Sequence, residues 1–242
     1  MKLSIVIPCY NEKATVRVLL RRVVGAVYPR EITSVEIIVV DDMSTDGTRQ
    51  ILDAILKAPN QEIGLQENQE FRLHLQEKNG GKGKALRSGF AQAKGEIILV
   101  QDADLEYDPE DYPALLKPLV KGYADVVFGS RFIGLERRVL YFNHYLVNLF
   151  LTFLSNLFTN LNITDMETCY KVFRSDVLKR ITLVSDRFGF EPEITAKVAK
   201  LKVRVFEVGI RYHGRTYEEG KKITWKDGVA ALWHILRFNL LG

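Results

Sequence analysis

Five short apolar runs alternate with amphipathic stretches over the first 130 residues, and this alternation restricts the fold more than any other feature. The runs predict strands at residues 3–8, 35–41, 71–77, 97–101 and 126–130. The stretches between them predict helices at residues 16–27, 48–56, 84–93 and 112–121, with a polar loop at 60–68. Such βαβ alternation is typical of a mostly parallel sheet flanked by helices. The sequence therefore predicts an α/β fold.

Length and composition indicate one globular domain. The 242 residues can bury one sizeable core, and 47% hydrophobic with 26% charged residues excludes disordered and fibrous classes. Without a repeat or clear linker, we expect one main domain over 1–210, with a basic loop and an amphipathic helix at 211–242 packing on it. Cys9 and Cys169 lack metal-type spacing, which argues against a disulfide framework or zinc site and suits a reducing cytoplasm.

Three polar clusters follow predicted strands, at residues 8–12, 41–48 and 102–104. Ligands of open α/β sheets bind at the carboxyl ends of the strands, where these clusters would meet. In extended backbone Asp102 and Asp104 point the same way, so both carboxylates can bind one hard divalent cation. Such acids also cap turns and helices, which is an alternative for each cluster. Asp41 and Asp42 end a very apolar strand and need donors, such as a base edge or ribose hydroxyls.

The glycine-rich segment at residues 79–85 does not match a P-loop. That motif needs Ser or Thr after its Gly-Lys pair and another glycine five residues before the pair, whereas Ala85 follows Gly83-Lys84 and residue 78 is not glycine. It remains a candidate for a turn that lets backbone approach a ligand, with Lys82 supplying charge.

Five motifs occur in a characteristic order: Pro8-Cys9-Tyr10-Asn11-Glu12, Asp41-Asp42-x-Ser44-x-Asp46-Gly47-Thr48, Asn79-x-Gly81-Lys82-Gly83-x-Ala85-Leu86, Asp102-Ala103-Asp104 and Gly129-Ser130-Arg131. In this the chain resembles the inverting, GT-A-fold glycosyltransferases of family 2. Within that family it resembles the polyprenyl-phosphate (dolichyl-phosphate) mannosyl- and glucosyltransferases. The resemblance covers nearly the whole chain.

The resemblance implies a GT-A fold and a nucleotide-diphosphate sugar as donor, GDP-mannose or UDP-glucose. Asp42 would meet the base or ribose, Lys82 would lie near the nucleoside, and Asp102 and Asp104 would hold Mg²⁺ or Mn²⁺ against the diphosphate. The basic loop would close over the diphosphate. The donor-binding residues implied are Pro8, Tyr10, Glu12, Asp42, Lys82, Asp102, Ala103, Asp104, Arg215, Lys221 and Lys222.

The second half of the chain bears on the acceptor. Residues 139–163 have a helical apolar period with scattered polar residues, which argues against a spanning helix. An interfacial helix with Arg137 and Arg138 beside anionic headgroups fits this pattern, and a domain-covering helix or dimer contact is the alternative. Another apolar stripe comprises Trp225, Val229, Leu232, Trp233 and Leu236. We expect a cytoplasmic protein peripheral to the membrane, with a membrane-protein partner or a second copy, and no nucleic acid.

The acceptor determines the catalytic requirement. A lipid phosphate is largely anionic at neutral pH and could attack the sugar without a protein base, positioned by Arg131. A saccharide hydroxyl would need a carboxylate base, for which Asp165, Glu191 and Glu193 are the candidates. Asp104 is expected to act in catalysis through the metal site instead. A transferase with a saccharide acceptor is therefore an alternative, and a nucleotidyltransferase is a more distant one. A scaffold without activity is disfavoured because no charged motif position is missing.

Overall fold

A seven-stranded sheet forms the centre of the computed structural model, which describes residues 1–134, 136–139, 141–187, 189–216, 218–219 and 225–241, apart from the side chains of 225 and 226. The strands are β1 (Lys2–Cys9), β2 (Ser34–Asp41), β3 (Gln69–Leu75), β4 (Ile97–Val100), β5 (Val126–Ser130), β6 (Lys171–Arg174) and β7 (Val205–Gly209). Their spatial order is β3-β2-β1-β4-β6-β5-β7. All neighbouring strands pair in parallel except β6, which is antiparallel to β4 and β5.

Helices connect and cover these strands. Their bounds are α1 (Val16–Val24), α2 (Thr48–Lys57), α3 (Pro59–Ile63), α4 (Lys82–Gln92), α5 (Tyr112–Val120), α6 (Phe142–Thr159), α7 (Ser175–Leu178), α8 (Phe190–Lys200) and α9 (Trp225–Leu236). The chain continues from α9 into one π-helical turn, Arg237–Leu241. The α/β class predicted from the sequence is confirmed.

The core explains why the first strands are recognisable as continuous apolar runs. In β1 every residue after Lys2 is buried, and in β2 every residue after Ser34 is buried. Parallel strands covered by helices on both faces bury both sets of side chains, so they are apolar throughout rather than alternating. This rigid centre ends abruptly in polar residues at the carboxyl edge of the sheet.

Besides shifts of one to three residues in several bounds, four elements differ from the sequence prediction. β3 begins and ends two residues before the predicted range. The loop predicted at residues 60–68 contains part of α3, which begins with Pro59 and is followed by Gly64 at a left-handed φ of 74°. β6 and β7 were not predicted, and they complete the sheet beyond β4.

The region that follows β5 builds one wall beside the sheet edge. Helix α6 packs against α8 and α9, and α9 also contacts α8. Much of α6 remains exposed, including Phe142, Phe153 and Leu157, each more than 60% accessible. Within the ranges that the structure describes, no helix combines the length and the apolar character needed to cross a bilayer.

Candidate functional site

A cavity of about 1360 Å³ lies at the carboxyl edge of the sheet and extends between α6 and α9. Residues from the ends of β1, β2, β4 and β5 line its polar end. The structure brings together most of the predicted site residues there, namely Pro8, Tyr10, Glu12, Asp42, Lys82, Asp102, Ala103, Asp104, Arg131, Glu191 and Arg215. Lys221 and Lys222 lie outside the described residues. Asp165 and Glu193 are not among the cavity's lining residues.

The polar clusters after β1 and β2 hold each other in place. The backbone amide of Asn11 donates to the Ser44 hydroxyl at 2.9 Å, and that of Glu12 donates to the Thr48 hydroxyl at 3.0 Å. In return the Asn11 side-chain carbonyl accepts from the Thr45 amide at 2.8 Å. These bonds fix the loop that carries Tyr10 and Glu12 at the cavity, so several polar motif residues are structural.

The acid pair at the end of β2 accepts hydrogen bonds from other parts of the chain. Asp41 is fully buried and accepts from Arg49 Nε at 2.5 Å. The Asp42 carboxylate accepts from the amides of Gly80 at 2.8 Å and Gly81 at 2.6 Å. Both carboxylates therefore meet donors, as expected, and these donors belong to the chain itself. Asp42 also lines the cavity.

The glycine turn before α4 makes its close approach to the chain itself. A Cβ at Gly81, whose φ is +86°, would lie 2.6 Å from the Asp186 carbonyl oxygen. A Cβ at Gly83 would lie 2.3 Å from the Ser185 carbonyl oxygen. Both positions therefore require glycine for packing against this neighbouring segment, whereas the sequence suggested approach to a ligand.

Lys82 bridges two carboxylates on the cavity wall. Its ammonium group lies 3.0 Å from Asp102 and 2.9 Å from Glu191. Burial opposes the charged form of Lys82, but the two carboxylates outweigh this and raise its pKa well above the usual value. Burial likewise opposes ionisation of Glu191, yet Lys82 and Lys171 lower its pKa. The three side chains form a charged network on the cavity wall.

Asp104 belongs to a second network, centred on Arg215. The guanidinium lies 3.0 Å from Asp104, 3.1 Å from Glu106 and 3.6 Å from Glu12. Burial, together with the charges of Asp102 and Glu106, raises the pKa of Asp104 to about 7 despite Arg215. Three carboxylates thus share one arginine, and this excess of negative charge suits a cation.

The acidic residues after β4 fit Mg²⁺ or Mn²⁺ as a partial ligand set. Carboxylate oxygens are hard donors, and Mg²⁺ is commonly bound by one or two carboxylates together with substrate phosphates and water. Among the residues that the structure describes, no group of three or more acidic, histidine or cysteine side chains is arranged to hold a metal alone. Asp102 and Asp104 could therefore contribute two ligands to such a cation.

Arg131 is held by a carboxylate behind it. Its Nε and one terminal nitrogen each lie 2.7 Å from an oxygen of Asp165, which is fully buried. The guanidinium lies 5.2 Å from the centre of the Tyr212 ring and contacts Asn148 of α6 at 3.3 Å. Asp165 orients Arg131, so its carboxylate is engaged in that pair.

Glu193 lies on the far side of α8. Its carboxylate accepts from the amides of Val184 and Ser185, both at 2.8 Å, and pairs with Lys197 at 2.5 Å. These contacts give Glu193 a structural role, and we do not retain it as a candidate base. Of the three predicted bases, only Glu191 lines the cavity.

Sequence reasoning missed three carboxylates at the cavity, Glu106, Glu167 and Asp227. Glu106 continues the every-second-residue spacing of Asp102 and Asp104, which was a usable signal. Glu167 has the same relation to Asp165, but its position depends on the loop before β6, a strand that was not predicted. Burial raises the pKa of Glu167 to about 8.

The other end of the cavity is largely apolar. Phe142, Val147 and Phe150 of α6 line it, together with Val229 and Leu232 of α9. Arg137 and Arg138 lie at this end, and the Arg137 guanidinium is 5.5 Å from the centre of the Tyr145 ring. The arrangement suits a molecule with an anionic group and an apolar body.

Comparison with protein families identifies the family of this chain. The family described as glycosyl transferase family 2 matches residues 4–182. An undecaprenyl-phosphate mannosyltransferase of Micrococcus luteus is 30% identical, and the match covers 99% of each chain. A dodecaprenyl-phosphate galacturonate synthase of Rhizobium johnstonii is 28% identical, over 91% of this chain and 62% of the relative. The chain thus spans less than two thirds of the length of this second relative.

Solved structures share the fold. A glucosyl-3-phosphoglycerate synthase from Mycobacterium tuberculosis, crystallised with Mn²⁺, UDP and phosphoglyceric acid, has a TM-score of 0.74 at 19% identity, covering 100% of this chain and 79% of the other. The Staphylococcus aureus TarS fragment 1-349 with UDP-GlcNAc has a TM-score of 0.60 at 21% identity, covering 98% and 66%. The GT-A fold predicted from the sequence is confirmed.

Proposed function

Because this chain belongs to glycosyl transferase family 2, it is a glycosyltransferase, and we propose that it moves a hexose from a nucleotide-diphosphate sugar to a polyprenyl phosphate at the cytoplasmic face of a membrane. The shape of the cavity carries this proposal. One end gathers carboxylates and basic residues, the other is an apolar trough between α6 and α9, and Arg131 contacts α6 through Asn148. Relatives named for sugar transfer to undecaprenyl or dodecaprenyl phosphate support the acceptor class.

The donor binds at the polar end in this proposal. Pro8, Tyr10, Glu12 and Asp42 line the nucleotide pocket, and GDP-mannose and UDP-glucose are the donors to test. Asp102 and Asp104, flanking Ala103, would hold Mg²⁺ or Mn²⁺, which would supply positive charge to stabilise the departing diphosphate. Lys82 keeps Asp102 oriented, and Arg215 exchanges part of its carboxylate contacts for the diphosphate oxygens.

The acceptor phosphate then attacks the anomeric carbon from the side opposite the diphosphate, with inversion. The second pKa of a phosphomonoester is about 6, so the attacking oxygen is already anionic at neutral pH and needs no protein base. Arg131 binds the phosphate and fixes its direction, while Asp165 keeps the guanidinium oriented. The new bond joins the phosphate oxygen to the sugar, and nucleoside diphosphate leaves.

The exposed apolar side chains of α6 and α9 support peripheral contact with a bilayer. Phe153 and Leu157 of α6 and Trp233 of α9 are each more than half exposed. An apolar helix face with neighbouring arginines suits an interface that contains anionic headgroups. Docking there would bring the open, apolar end of the cavity to the lipid that carries the acceptor.

A saccharide acceptor is a second candidate because Glu191 lines the cavity and could serve as a base for a hydroxyl group. Its ion pair with Lys82 argues against that role, since proton acceptance would break the contact.

Purified protein incubated with labelled GDP-mannose or UDP-glucose, Mn²⁺ and a short polyprenyl phosphate tests the proposal. We expect labelled lipid and an equal amount of nucleoside diphosphate. Labelled saccharide without labelled lipid would establish the second candidate instead. Release of pyrophosphate would indicate a nucleotidyltransferase and overturn the proposed reaction.

A further inference from the structure

Glu167 is a carboxyl group on the cavity wall with an unused oxygen. Its Oε1 atom is buried and has no hydrogen-bond partner among the described residues. A buried polar atom without a hydrogen bond costs free energy, of the order of 1–3 kcal/mol, unless a ligand or water supplies that hydrogen bond. Neighbouring carboxyl groups have protein partners: Asp165 binds Arg131, and Glu191 binds Lys82. Glu167 therefore places a carboxyl group with an unmet hydrogen-bonding capacity on the cavity wall.

The backbone on both sides of Glu167 is fixed by one buried lysine. Lys171 is fully inaccessible, and its ammonium group donates to the carbonyl oxygens of Met166 at 2.9 Å and Thr168 at 2.5 Å. Asp165 is anchored in turn by its bidentate pair with Arg131. Glu167 thus extends from a rigid loop, and rigid support of this kind is what a ligand-binding group requires.

The surroundings of Glu167 favour its neutral form. Burial has the largest effect, and Glu191 of α8 and Asp165 of its own loop add negative charge. Lys171 of β6 and Arg131 after β5 oppose this, but the pKa still rises to about 8. At pH 7 the group is therefore predominantly a carboxylic acid, which can donate a hydrogen bond.

Building on the proposed lipid-phosphate acceptor, we propose that Glu167 is an acceptor-binding residue that donates a hydrogen bond, as a neutral carboxylic acid, to an oxygen of the acceptor phosphate. Arg131 supplies charge to the same phosphate, and Glu167 supplies a second, uncharged donor. The proton remains on Glu167 throughout, so no bond to it forms or breaks. Once ionised, the side chain would repel the phosphate instead.

Two substitutions distinguish whether Glu167 acts as a hydrogen-bond donor or as a general base. Glu167→Gln keeps an N–H donor and nearly the same volume but cannot accept a proton, whereas Glu167→Ala removes the contact. Transfer to polyprenyl phosphate is measured from pH 6.5 to 9 with saturating donor, and the folding of each variant is checked by thermal unfolding. Glu67→Gln, in an exposed loop, is the matched control.

We expect the wild-type kcat/KM for the lipid phosphate to fall roughly tenfold between pH 7 and pH 9, because the neutral form is lost as the pH rises through its pKa. Glu167→Gln should retain activity at pH 7 and lose this dependence, while Glu167→Ala should raise the acceptor KM at both pH values.

A Glu167→Gln variant as impaired as Glu167→Ala would indicate a base and overturn the inference, as would wild-type behaviour of both variants. If the wild-type protein glycosylates no polyprenyl phosphate, the proposed function itself fails, and this role fails with it. That failure is distinguishable because it appears before any variant is compared.

Discussion

Arg131 and Asp165 form a bidentate ion pair with both nitrogen–oxygen distances at 2.7 Å. The carboxylate is fully buried and the arginine side chain is 11% exposed. A carboxylate so engaged cannot also deprotonate an acceptor without releasing the arginine. The pair therefore assigns Asp165 to positioning and leaves the guanidinium as the group that faces the cavity.

Asp165→Ala should strongly destabilise the protein because it leaves a buried guanidinium without its counter-charge. Breaking a buried pair in this way costs about 3–5 kcal/mol. Urea unfolding of the variant and the wild type measures this loss. Glu31→Gln, which removes an exposed partner of Lys121, is the control and should unfold like the wild type. Equal stability of the two variants would contradict the structural role of Asp165.

Asp104→Asn should lower transfer by on the order of 10²-fold or more, because a carboxylate next to the departing diphosphate is lost. Chelation of divalent ions should abolish wild-type transfer, and added Mn²⁺ or Mg²⁺ should restore it. Initial rates with labelled donor provide the measurement. Asp53→Asn, in α2 away from the cavity, should retain full activity. A fully active Asp104→Asn variant would remove this residue from the cation site.

The sequence predicted the elements whose pattern is visible within a few consecutive residues. It did not predict those whose position depends on pairing with residues far away in the chain. Strands β1, β2, β4 and β5 were recognisable because buried parallel strands are continuous apolar runs. β6 contains only four residues and begins with Lys171, so its place between β4 and β5 depends on long-range contacts. Strand preference is determined largely by such packing.

The same distinction applies to the site. Asp102 and Asp104 follow a strand directly, so their common location could be predicted. The pairing of Arg131 with Asp165 joins residues 34 positions apart, and nothing in the local sequence indicates it. Glu167 was missed for that reason, since its position follows from Lys171 and the unpredicted β6.

Replacing Phe153 and Trp233 together by glutamate should weaken binding to anionic vesicles. These residues are 62% and 55% exposed and do not line the cavity. Loss of two aromatic contacts with lipid should lower partitioning by on the order of tenfold or more. Sedimentation with phosphatidylglycerol vesicles measures this, and transfer to a short, water-soluble prenyl phosphate should persist.

The control for that experiment is Tyr123→Glu, which alters an aromatic residue 61% exposed outside α6 and α9. It should bind vesicles like the wild type. If all variants bind equally, the helices are not the membrane contact.

The Asp125–Arg204 pair gives a prediction for acid stability. Hydrogen bonds from Arg204 lower the pKa of Asp125 to about 2, although slight burial of the carboxylate acts in the opposite direction. In the unfolded chain an aspartate has a pKa of about 3.9. The pair therefore stabilises the fold above pH 4, and this contribution disappears as the pH falls through the folded-state pKa.

Thermal unfolding of the wild type and Asp125→Asn across pH 7 to 2 tests this linkage. The difference in Tm should be constant from pH 7 to about 5 and should shrink toward pH 2. A difference that is independent of pH would show that the charge of Asp125 does not contribute.

A comparison of two lipids that differ in a single group tests the proposed reaction most directly. Undecaprenyl phosphate and undecaprenol are each incubated with the protein, Mn²⁺ and the labelled donor, and the extracted lipids are analysed by mass spectrometry. We predict one hexose on each modified lipid phosphate, with equimolar nucleoside diphosphate, and no product from the alcohol. Glycosylation of undecaprenol, or of a saccharide while undecaprenyl phosphate remains unmodified, would contradict the account.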